Sequence, residues 1–485
     1  MKRLFIFSVL LLAIVFGTPA SSADFQKGLD AYLIEDYETA LREWKPLAEQ
    51  GHAYAQSRLG LMYDKGQGVP QNYITAARWY TGAAEQGHNK AQYNLGQLYY
   101  AGQGVTQSYQ AALTWYKLAA DQGNALAQYN LGNIYRKGQG VSQNVIAAVK
   151  WYERAAEQGH ARAQTNLGLI HYNGEGVPQD FELSFKWLSL AAEQGNTAAQ
   201  NQLGLMYDNG QGVPQSDDKA FSWYNLSAEH GNSIARYNLG WMYQNGQGVP
   251  KAPKTALKWW KLAAEQGYAL AQFNLGFIYE NGRGVPQGFK AAVKWYTLAA
   301  EQGHARAQSN LGVMYRNGQG VPQNYKNAVK WFKLSALQGY AVAQYNLGVK
   351  FERGQGVSQN YESAVKWYKL AAKQGYPDAQ YNLGVIYSNG QVVRPDHMAA
   401  IKWYRLAAKQ GYASAQLNLG IMYAEGTGTA RDYARAFMWW KLAAAQGDST
   451  AIKNRDILEK ALSPTQLKSV QKFARECEKK NYKEC

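Results

Sequence analysis

The sequence predicts an all-α fold in which tandem pairs of helices stack side by side into a solenoid. One phrase, A-x-A-Q-x-N-L-G-x-x-Y-x-x-G-x-G-V followed by W-Y-x-x-A-A-E-Q-G, recurs eleven times at a step of 36 residues. A fixed period of this size is typical of repeat solenoids. Within each copy the apolar and small residues recur at helical spacing. A unit of this size cannot bury its own apolar face, so each copy must stack on its neighbours. The period is marked by the glycine of each Leu-Gly pair: Gly60, Gly96, Gly132, Gly168, Gly204, Gly240, Gly276, Gly312, Gly348, Gly384 and Gly420.

Residues 52–87 illustrate one repeat, which divides into a helix A and a helix B. Helix A is predicted over about residues 53–65. It stops there because Gly66 suits a left-handed C-terminal cap and Pro70 cannot continue the helix. Helix B is predicted over about residues 72–86, and a glycine ends it before the next helix A.

The Leu-Gly glycine, Gly60 in the first repeat, falls in the middle of helix A. Glycine costs about 1 kcal/mol relative to alanine there. A cost repeated in every copy indicates a steric need, so we expect helix B to pass against this Cα. Tryptophan also recurs at the repeat step in helix B, from Trp79 to Trp439. An aromatic residue at a fixed position in every repeat is interpreted as part of the core.

The first residues differ from the repeats and have the pattern of a secretory signal peptide. Lys2 and Arg3 precede an apolar run over residues 4–16, and small residues lead to a cleavage site after Ala23. A membrane anchor is the alternative, but the run is shorter than the ~20 residues that a spanning helix needs. We therefore expect residues 1–23 to be removed and the protein to be exported, either periplasmic or secreted.

The chain contains two cysteines, Cys477 and Cys485, both close to the C-terminus. In an exported protein they can form a disulfide, and free thiols are the alternative. Two cysteines without a nearby histidine do not supply the ligands of a zinc site, so no metal is predicted. No cofactor is expected either.

The repeat resembles the Sel1-like repeat, a relative of the tetratricopeptide repeat with a longer loop between its helices. The resemblance covers about residues 24–452 and, with the signal peptide, indicates a Gram-negative bacterium. It implies a right-handed superhelix with helix A on the concave side and helix B on the convex side. Residues 24–51 look like a tetratricopeptide unit with a shorter loop and are interpreted as the N-terminal cap. Residues 52–447 are then the eleven repeats, and residues 448–485 are capping helices and a tail.

The function favoured by this reading is a non-catalytic scaffold that binds a protein or peptide on the concave helix A surface. Aromatic side chains with few rotamers suit such a surface, and packing between repeats is the alternative. The aromatic candidates are Tyr93, Tyr129, Tyr237, Trp241, Phe273, Phe277, Tyr345 and Tyr381. In related tetratricopeptide domains, helix A asparagines bind the ligand backbone or its terminal carboxylate; bridging between repeats is the alternative. The asparagine candidates are Asn94, Asn130, Asn238 and Asn274.

Charge is unevenly distributed along the chain. Residues 24–249 carry 16 Lys and Arg against 20 Asp and Glu, whereas residues 250–447 carry 24 against 9. The helix B cations that cause this asymmetry are predicted to form a basic stripe: Lys258, Lys261, Lys294, Lys330, Lys333, Lys366, Lys369, Lys402 and Arg405. Attachment of an anionic envelope or host-surface polymer is therefore a second candidate function, and a solvated helix face is the structural alternative. Export disfavours nucleic acid as a partner.

An enzyme is the least favoured class. Some cysteine-rich Sel1-like relatives are associated with penicillin binding and β-lactam hydrolysis, but these repeats contain no cysteine. Ser363 and Lys366 match the letters S-x-x-K. The aligned serine position holds Thr255, Ala291 or Asn327 in neighbouring repeats, so the match is interpreted as a repeat position. A β-lactam-binding enzyme is kept as a minor alternative. The capped ends favour a monomer.

Overall fold

A computed structural model of the chain describes residues 23–391, 394–480 and 482. These residues form helices joined by short loops, and no strand occurs in this part of the chain. The predicted all-α array of paired helices is confirmed. The right-handed sense of the array stays a prediction. The predicted signal peptide lies outside the described residues, apart from Ala23 at its end. The helices fall into two compact units, which divide after His230.

The first unit begins with a short helix pair and continues with five repeats. Its helices, in chain order, are α1 (Phe25–Leu33), α2 (Tyr37–Glu49), α3 (Ala53–Lys65), α4 (Tyr73–Glu85), α5 (Asn89–Ala101), α6 (Tyr109–Asp121), α7 (Ala125–Lys137), α8 (Val145–Glu157), α9 (Ala161–Asn173), α10 (Phe181–Glu193), α11 (Thr197–Asn209) and α12 (Asp217–Glu229).

The second unit contains six repeats and two terminal helices. Its helices are α13 (Ser233–Asn245), α14 (Pro253–Glu265), α15 (Ala269–Asn281), α16 (Phe289–Glu301), α17 (Ala305–Asn317), α18 (Tyr325–Leu337), α19 (Ala341–Arg353), α20 (Tyr361–Lys373), α21 (Pro377–Asn389), α22 (His397–Lys409), α23 (Ala413–Glu425), α24 (Tyr433–Ala445), α25 (Ser449–Ala461) and α26 (Pro464–Lys479). None of the helices described in either unit has the length and apolar character needed to cross a bilayer.

The helix boundaries are set by local capping. In the first repeat, Nδ1 of His52 accepts a hydrogen bond from the backbone N–H of Ala55 at 3.2 Å and begins helix A. Gly66 ends it with φ of 71°, a left-handed conformation that favours glycine. Asn72 begins helix B by accepting from the N–H of Thr75 at 3.0 Å. These bonds satisfy helix-end groups that would otherwise lack partners.

The glycine in the middle of helix A is required by packing, as the sequence predicts. A Cβ on Gly60 would lie 2.5 Å from Cδ1 of Tyr80 in helix B, much closer than van der Waals contact allows. Tyr80 is fully buried. The indole of Trp260 takes the equivalent place against Gly240 in the second unit. Helix B therefore approaches helix A more closely than any residue with a side chain permits.

The repeated tryptophans are less buried than predicted. Of the eleven from Trp79 to Trp439, only Trp295 and Trp439 are buried, and the other nine are half-buried. Trp115 in α6, for example, packs against the edge of the core that α4 and α5 form. The fully buried position is the next one, Tyr80 in the first repeat, because that side chain faces the helix A glycine. The tryptophans instead cover the junction with the preceding repeat.

Buried glutamines connect neighbouring helices through a contact to which the sequence analysis assigned no role. Nε2 of Gln92 in α5 donates to the carbonyl oxygen of Ala84 in α4 at 3.1 Å. Its Oε1 accepts from Nε2 of Gln122, just after α6, at 2.8 Å. One side chain thus links three helices and satisfies its own buried polar atoms. The same glutamine pair occurs at Gln56–Gln86, Gln92–Gln122, Gln128–Gln158, Gln164–Gln194, Gln272–Gln302, Gln308–Gln338, Gln344–Gln374, Gln380–Gln410 and Gln416–Gln446.

The last helix covers the end of the final repeat. Helix α26 packs against α24, and its Val470, Ala474 and Cys477 are buried in the same core as Trp439. The predicted disulfide lies outside the described residues because Cys485 is not among them. The pairing therefore stays a prediction.

Candidate functional site

All but one of the aromatic side chains predicted to bind a partner are half-buried, and Trp241 is exposed. Tyr129 stacks on His160, the cap of the next helix A, with ring centroids 4.7 Å apart. Its other neighbour is the buried Tyr152, at 6.0 Å. Phe273 stacks on His304 in the same way, at 4.7 Å. Part of each ring therefore packs between repeats, which was the alternative to partner binding. Four further candidates are also half-buried: Tyr93, Tyr237, Tyr345 and Tyr381.

The asparagines on helix A bridge neighbouring repeats. Nδ2 of Asn310 donates to the hydroxyl of Tyr296 at 2.9 Å, and Nδ2 of Asn274 donates to the hydroxyl of Tyr237 at 3.3 Å. Each bond joins one repeat to the preceding one, which supports the structural alternative for this set. The remaining predicted asparagines, Asn94, Asn130 and Asn238, are half-buried at the same helix A position.

Four of the predicted residues converge on one cavity in the second unit. Trp241, Phe273, Asn274 and Phe277 line a space of about 1150 Å³, which we call the aromatic cavity. It lies between α13 and α15, the helix A of two consecutive repeats. Helix α14 with the loop before it, the loop after α15 and Arg306 of α17 complete its walls.

The floor of the aromatic cavity is rigid. Trp260 is only 5 % exposed, and its Nε1 donates to the carbonyl oxygen of Tyr237 at 3.1 Å. Its ring lies edge-on to Trp241, with centroids 5.8 Å apart. Trp241 itself is 43 % exposed. The cavity thus presents one fixed indole below and one accessible indole at the side.

The cavity is open because one repeat lacks a usual contact. In other repeats the loop after helix A touches the start of the preceding helix B. A Cβ on Gly320, for instance, would collide with the backbone of Phe289. In the repeat that forms the cavity, Pro253 replaces the aromatic residue that usually begins helix B, and nothing lies within 4 Å of a Cβ placed on Gly284. The loop after α15 therefore stands clear of α14.

The rim of the cavity is basic. Lys251, Lys254, Arg283 and Arg306 line it and are exposed, and no aspartate or glutamate of the described chain lines it. The Arg283 guanidinium lies 4.7 Å over the ring of Phe277, an arrangement that favours both partners electrostatically. The cavity therefore combines aromatic walls with positive charge at its mouth.

This rim and the residue that opens the cavity were not predicted from the sequence. The available signal was departure from the repeat. Lys251 stands where the next repeat has Gln287, and Arg283 stands where the next repeat has Gln319. At the position equivalent to Lys251, glutamine usually holds its loop against helix A. Nε2 of Gln287, for example, donates to a helix carbonyl oxygen at 2.8 Å. Lys251 and Pro253 are close together in sequence, but Arg283 belongs to the next repeat, so only a repeat-by-repeat comparison would have grouped the three.

The residues of the predicted basic stripe lie on helix B of successive repeats in the second unit. Eight of its nine side chains are exposed, and Lys369 is half-buried. Nζ of Lys294 lies 5.3 Å over the ring of Trp295. Among the described residues, the ion pair between Lys261 and Glu265, at 3.9 Å, is the only one that a stripe residue makes. The stripe is thus available to an anionic partner, and it is also what a solvated helix face would look like.

The serine of the S-x-x-K match occupies a structural position. Ser363 lies in the first turn of α20, where its backbone N–H donates to Oδ1 of Asn360 at 2.7 Å. Lys366 is exposed one turn later. The same cap begins other helices B, so nothing sets Ser363 apart. The described residues also contain no group of three or more His, Cys, Asp or Glu side chains placed to hold a metal.

Comparison with known proteins identifies the repeat. The Sel1 repeat model matches eleven consecutive 36-residue segments, from 53–88 to 413–448. A protective antigen from uropathogenic Escherichia coli, described as displaying an SLR fold, is 39% identical over 90% of this chain and 94% of its own, with a TM-score of 0.69. A Sel1 repeat protein from Oxalobacter formigenes is 33% identical over 67% of this chain and 93% of its own, with a TM-score of 0.49.

No curated protein matches the chain. Sel1 repeat proteins are generally protein–protein interaction scaffolds. Because the repeats account for most of its length, the chain belongs to the Sel1 repeat family.

Proposed function

We propose that this protein is an exported, non-catalytic scaffold whose helix A surface binds a polypeptide partner at the aromatic cavity. The observation that carries the proposal is the convergence of Trp241, Phe273 and Phe277 on one open space. Export rests on the signal-peptide pattern of residues 1–23, and release from the cell or retention in the periplasm are both compatible with it.

The dimensions and chemistry of the cavity support this role. Ligand sites are typically concave, apolar and about 300–1000 Å³ in volume, with a few polar groups that orient the ligand. At about 1150 Å³ the aromatic cavity is slightly larger than this range, and it carries the amides of Gln244, Asn245 and Asn274 beside its rings. Exposed tryptophan is also enriched at the energetic centre of protein interfaces. A peptide side chain can therefore insert while its backbone meets the amides.

A peptide selection tests the proposal. Random peptides displayed on phage would be selected on the purified protein and then measured against the double variant Trp241→Ala/Phe277→Ala. We expect binding of the selected peptides to weaken by about tenfold or more, because aromatic hot spots contribute at least ~2 kcal/mol. The matched control is Tyr54→Ala/Tyr433→Ala, which removes two exposed aromatics outside the cavity. Selected peptides that bind the cavity variant as tightly as the control would contradict the proposal, provided circular dichroism shows both variants folded.

Attachment of an anionic polymer to the basic stripe is the second candidate function. The exposure of its cations and the net positive charge of residues 250–447 favour it. Polyglutamate and dextran sulfate are suitable probes. Stripe attachment predicts that Lys330→Glu/Lys366→Glu abolishes capture of both polymers at low salt. Capture that is unchanged in this variant would exclude the stripe.

A further inference from the structure

We infer that the aromatic cavity takes an acidic peptide segment, with one large apolar side chain inserted among the rings and carboxylates on either side of it paired with the basic rim. This inference rests on the proposed function and adds the chemical class of the ligand.

The apolar part of the ligand follows from the walls. Trp260 forms a buried floor, with Leu257 and Ile278 beside it, and Trp241 and Phe277 form the sides. The hydrogen bond from Trp260 to the backbone holds this floor in place before a ligand binds, which lowers the entropic cost of binding. A phenylalanine or leucine side chain can insert into part of this space and displace water from these five apolar side chains.

The acidic part follows from the rim. Lys251, Lys254, Arg283 and Arg306 surround the mouth, and none of them forms an ion pair with a carboxylate of the described chain. The closest acidic residue along α15, Glu280, accepts a hydrogen bond from the hydroxyl of Tyr296 instead. Within the described chain, no ion pair therefore neutralises the positive charge at the cavity mouth. A ligand with carboxylates supplies the missing opposite charge.

A peptide fits the cavity better than a uniformly charged polymer does. A polyanion without apolar groups could pair with the rim, but it would leave the aromatic walls uncovered. The amides of Gln244, Asn245 and Asn274 provide donors and acceptors of the kind that an extended peptide backbone uses. The experiment must therefore distinguish binding to the basic rim alone from binding that also uses the aromatic walls.

Four labelled peptides of equal length test the inference by fluorescence anisotropy with the purified protein. The first carries a central phenylalanine flanked by glutamates. The others replace the phenylalanine with serine, the glutamates with glutamine, or the glutamates with lysine. We expect the first peptide to bind tightest, the serine and glutamine peptides about tenfold more weakly, and the lysine peptide not at all up to about 1 mM.

Charge reversal locates the binding. Lys254→Glu/Arg283→Glu is expected to weaken binding of the first peptide by about tenfold or more and to permit binding of the lysine peptide. Lys330→Glu/Lys366→Glu changes the net charge by the same amount, but on the basic stripe. It is expected to alter the affinity for the first peptide by no more than about twofold. Arg283→Gln installs the residue found at this position in most repeats, so it tests the charge with little risk to folding.

Three results would overturn the inference. Equal binding of the glutamate and glutamine peptides removes the charge requirement, and equal binding of the phenylalanine and serine peptides removes the apolar one. Failure of all four peptides to bind, or an equal loss in the stripe variant, removes the assignment to this cavity. The peptide selection with Trp241→Ala/Phe277→Ala decides the proposed function separately. Selected peptides that depend on the cavity but lack acidic residues would preserve that function and refute the inference.

Discussion

At the scale of single residues, Lys350 departs most from the chemistry of its position. It occupies a helix A site that holds Met314 in the preceding repeat and is only 2 % exposed. Its Nζ donates to Oε1 of Gln355 at 2.7 Å and lies 4.7 Å over the ring of Tyr325. Burial lowers the pKa of Lys350 to about 8, and nearby arginines add to the effect. The folded protein thus retains a charge where its other repeats place an apolar side chain.

Replacing this charge is expected to stabilise the protein. Lys350→Met should raise the free energy of unfolding near neutral pH by roughly 1–3 kcal/mol, because it removes the desolvation of an ammonium group. The folded-state pKa lies below the unfolded value of 10.5. Wild-type stability should therefore rise between pH 8 and 10.5, where the unfolded chain keeps a proton that the folded chain has released.

Urea unfolding of the wild type and Lys350→Met at about pH 7 and about pH 10 measures both effects. The difference between the two proteins should shrink at the higher pH. A methionine variant that is less stable than the wild type at about pH 7 would show instead that the bond to Gln355 outweighs the buried charge.

The histidines that cap helix A predict a second pH dependence. Nδ1 of His88, His160 and His304 accepts a backbone hydrogen bond, and partial burial lowers the pKa of each. Their contribution is complete above the unfolded pKa of 6.5 and is lost as the pH falls toward the folded values. Asn124 makes the same cap without titrating.

Replacing all three histidines with asparagine should therefore reduce the loss of stability on acidification. We expect the melting temperature to fall less in the variant than in the wild type between about pH 7.5 and about pH 5. Each histidine cap should account for up to ~1 kcal/mol of the free energy of unfolding that the wild type loses over this range. Comparing each protein with itself at two pH values removes the effect of the lost ring contacts. An identical fall in both proteins would rule out a role for these caps in acid sensitivity.

At the scale of the helix, the close approach of helix B depends on the glycine in helix A. A Cβ on Gly96 would lie 2.8 Å from Cδ1 of Tyr116, which is buried. Gly96→Ala should improve helix propensity by about 1 kcal/mol, yet the overpacking it causes costs about 1–3 kcal/mol. We expect a lower melting temperature, whereas Lys90→Ala at an exposed position of the same helix should leave it almost unchanged. A stabilised Gly96→Ala variant would mean that the two helices can separate without loss.

At the scale of the whole molecule, the array needs closed ends because each repeat buries its apolar face on the next. Helix α26 supplies this cover through Val470 and Ala474. Val470→Asp/Ala474→Asp should detach it, expose the core around Trp439 and cause concentration-dependent association in light scattering. The exposed double variant Ser469→Asp/Arg475→Asp should behave as the wild type does, which we expect to be monomeric. Association of both variants, or of neither, would contradict the role of α26 as a cap.

The sequence by itself determined the period, the helix pairs and most of their boundaries. Those features depend on local chemistry: Gly66 ends helix A through its own backbone conformation, and Asn72 begins helix B through a bond three residues away. The contact at Gly60 could also be predicted, because a conformational cost repeated in every copy implies a constant neighbour.

Only the tertiary structure decided which of two adjacent aromatics, Trp79 or Tyr80, is fully buried, since that depends on how closely the helices approach. It also decided that Trp241, Phe277 and Arg283 share one cavity. These residues belong to two different repeats, and their proximity results from stacking, which local sequence patterns do not encode.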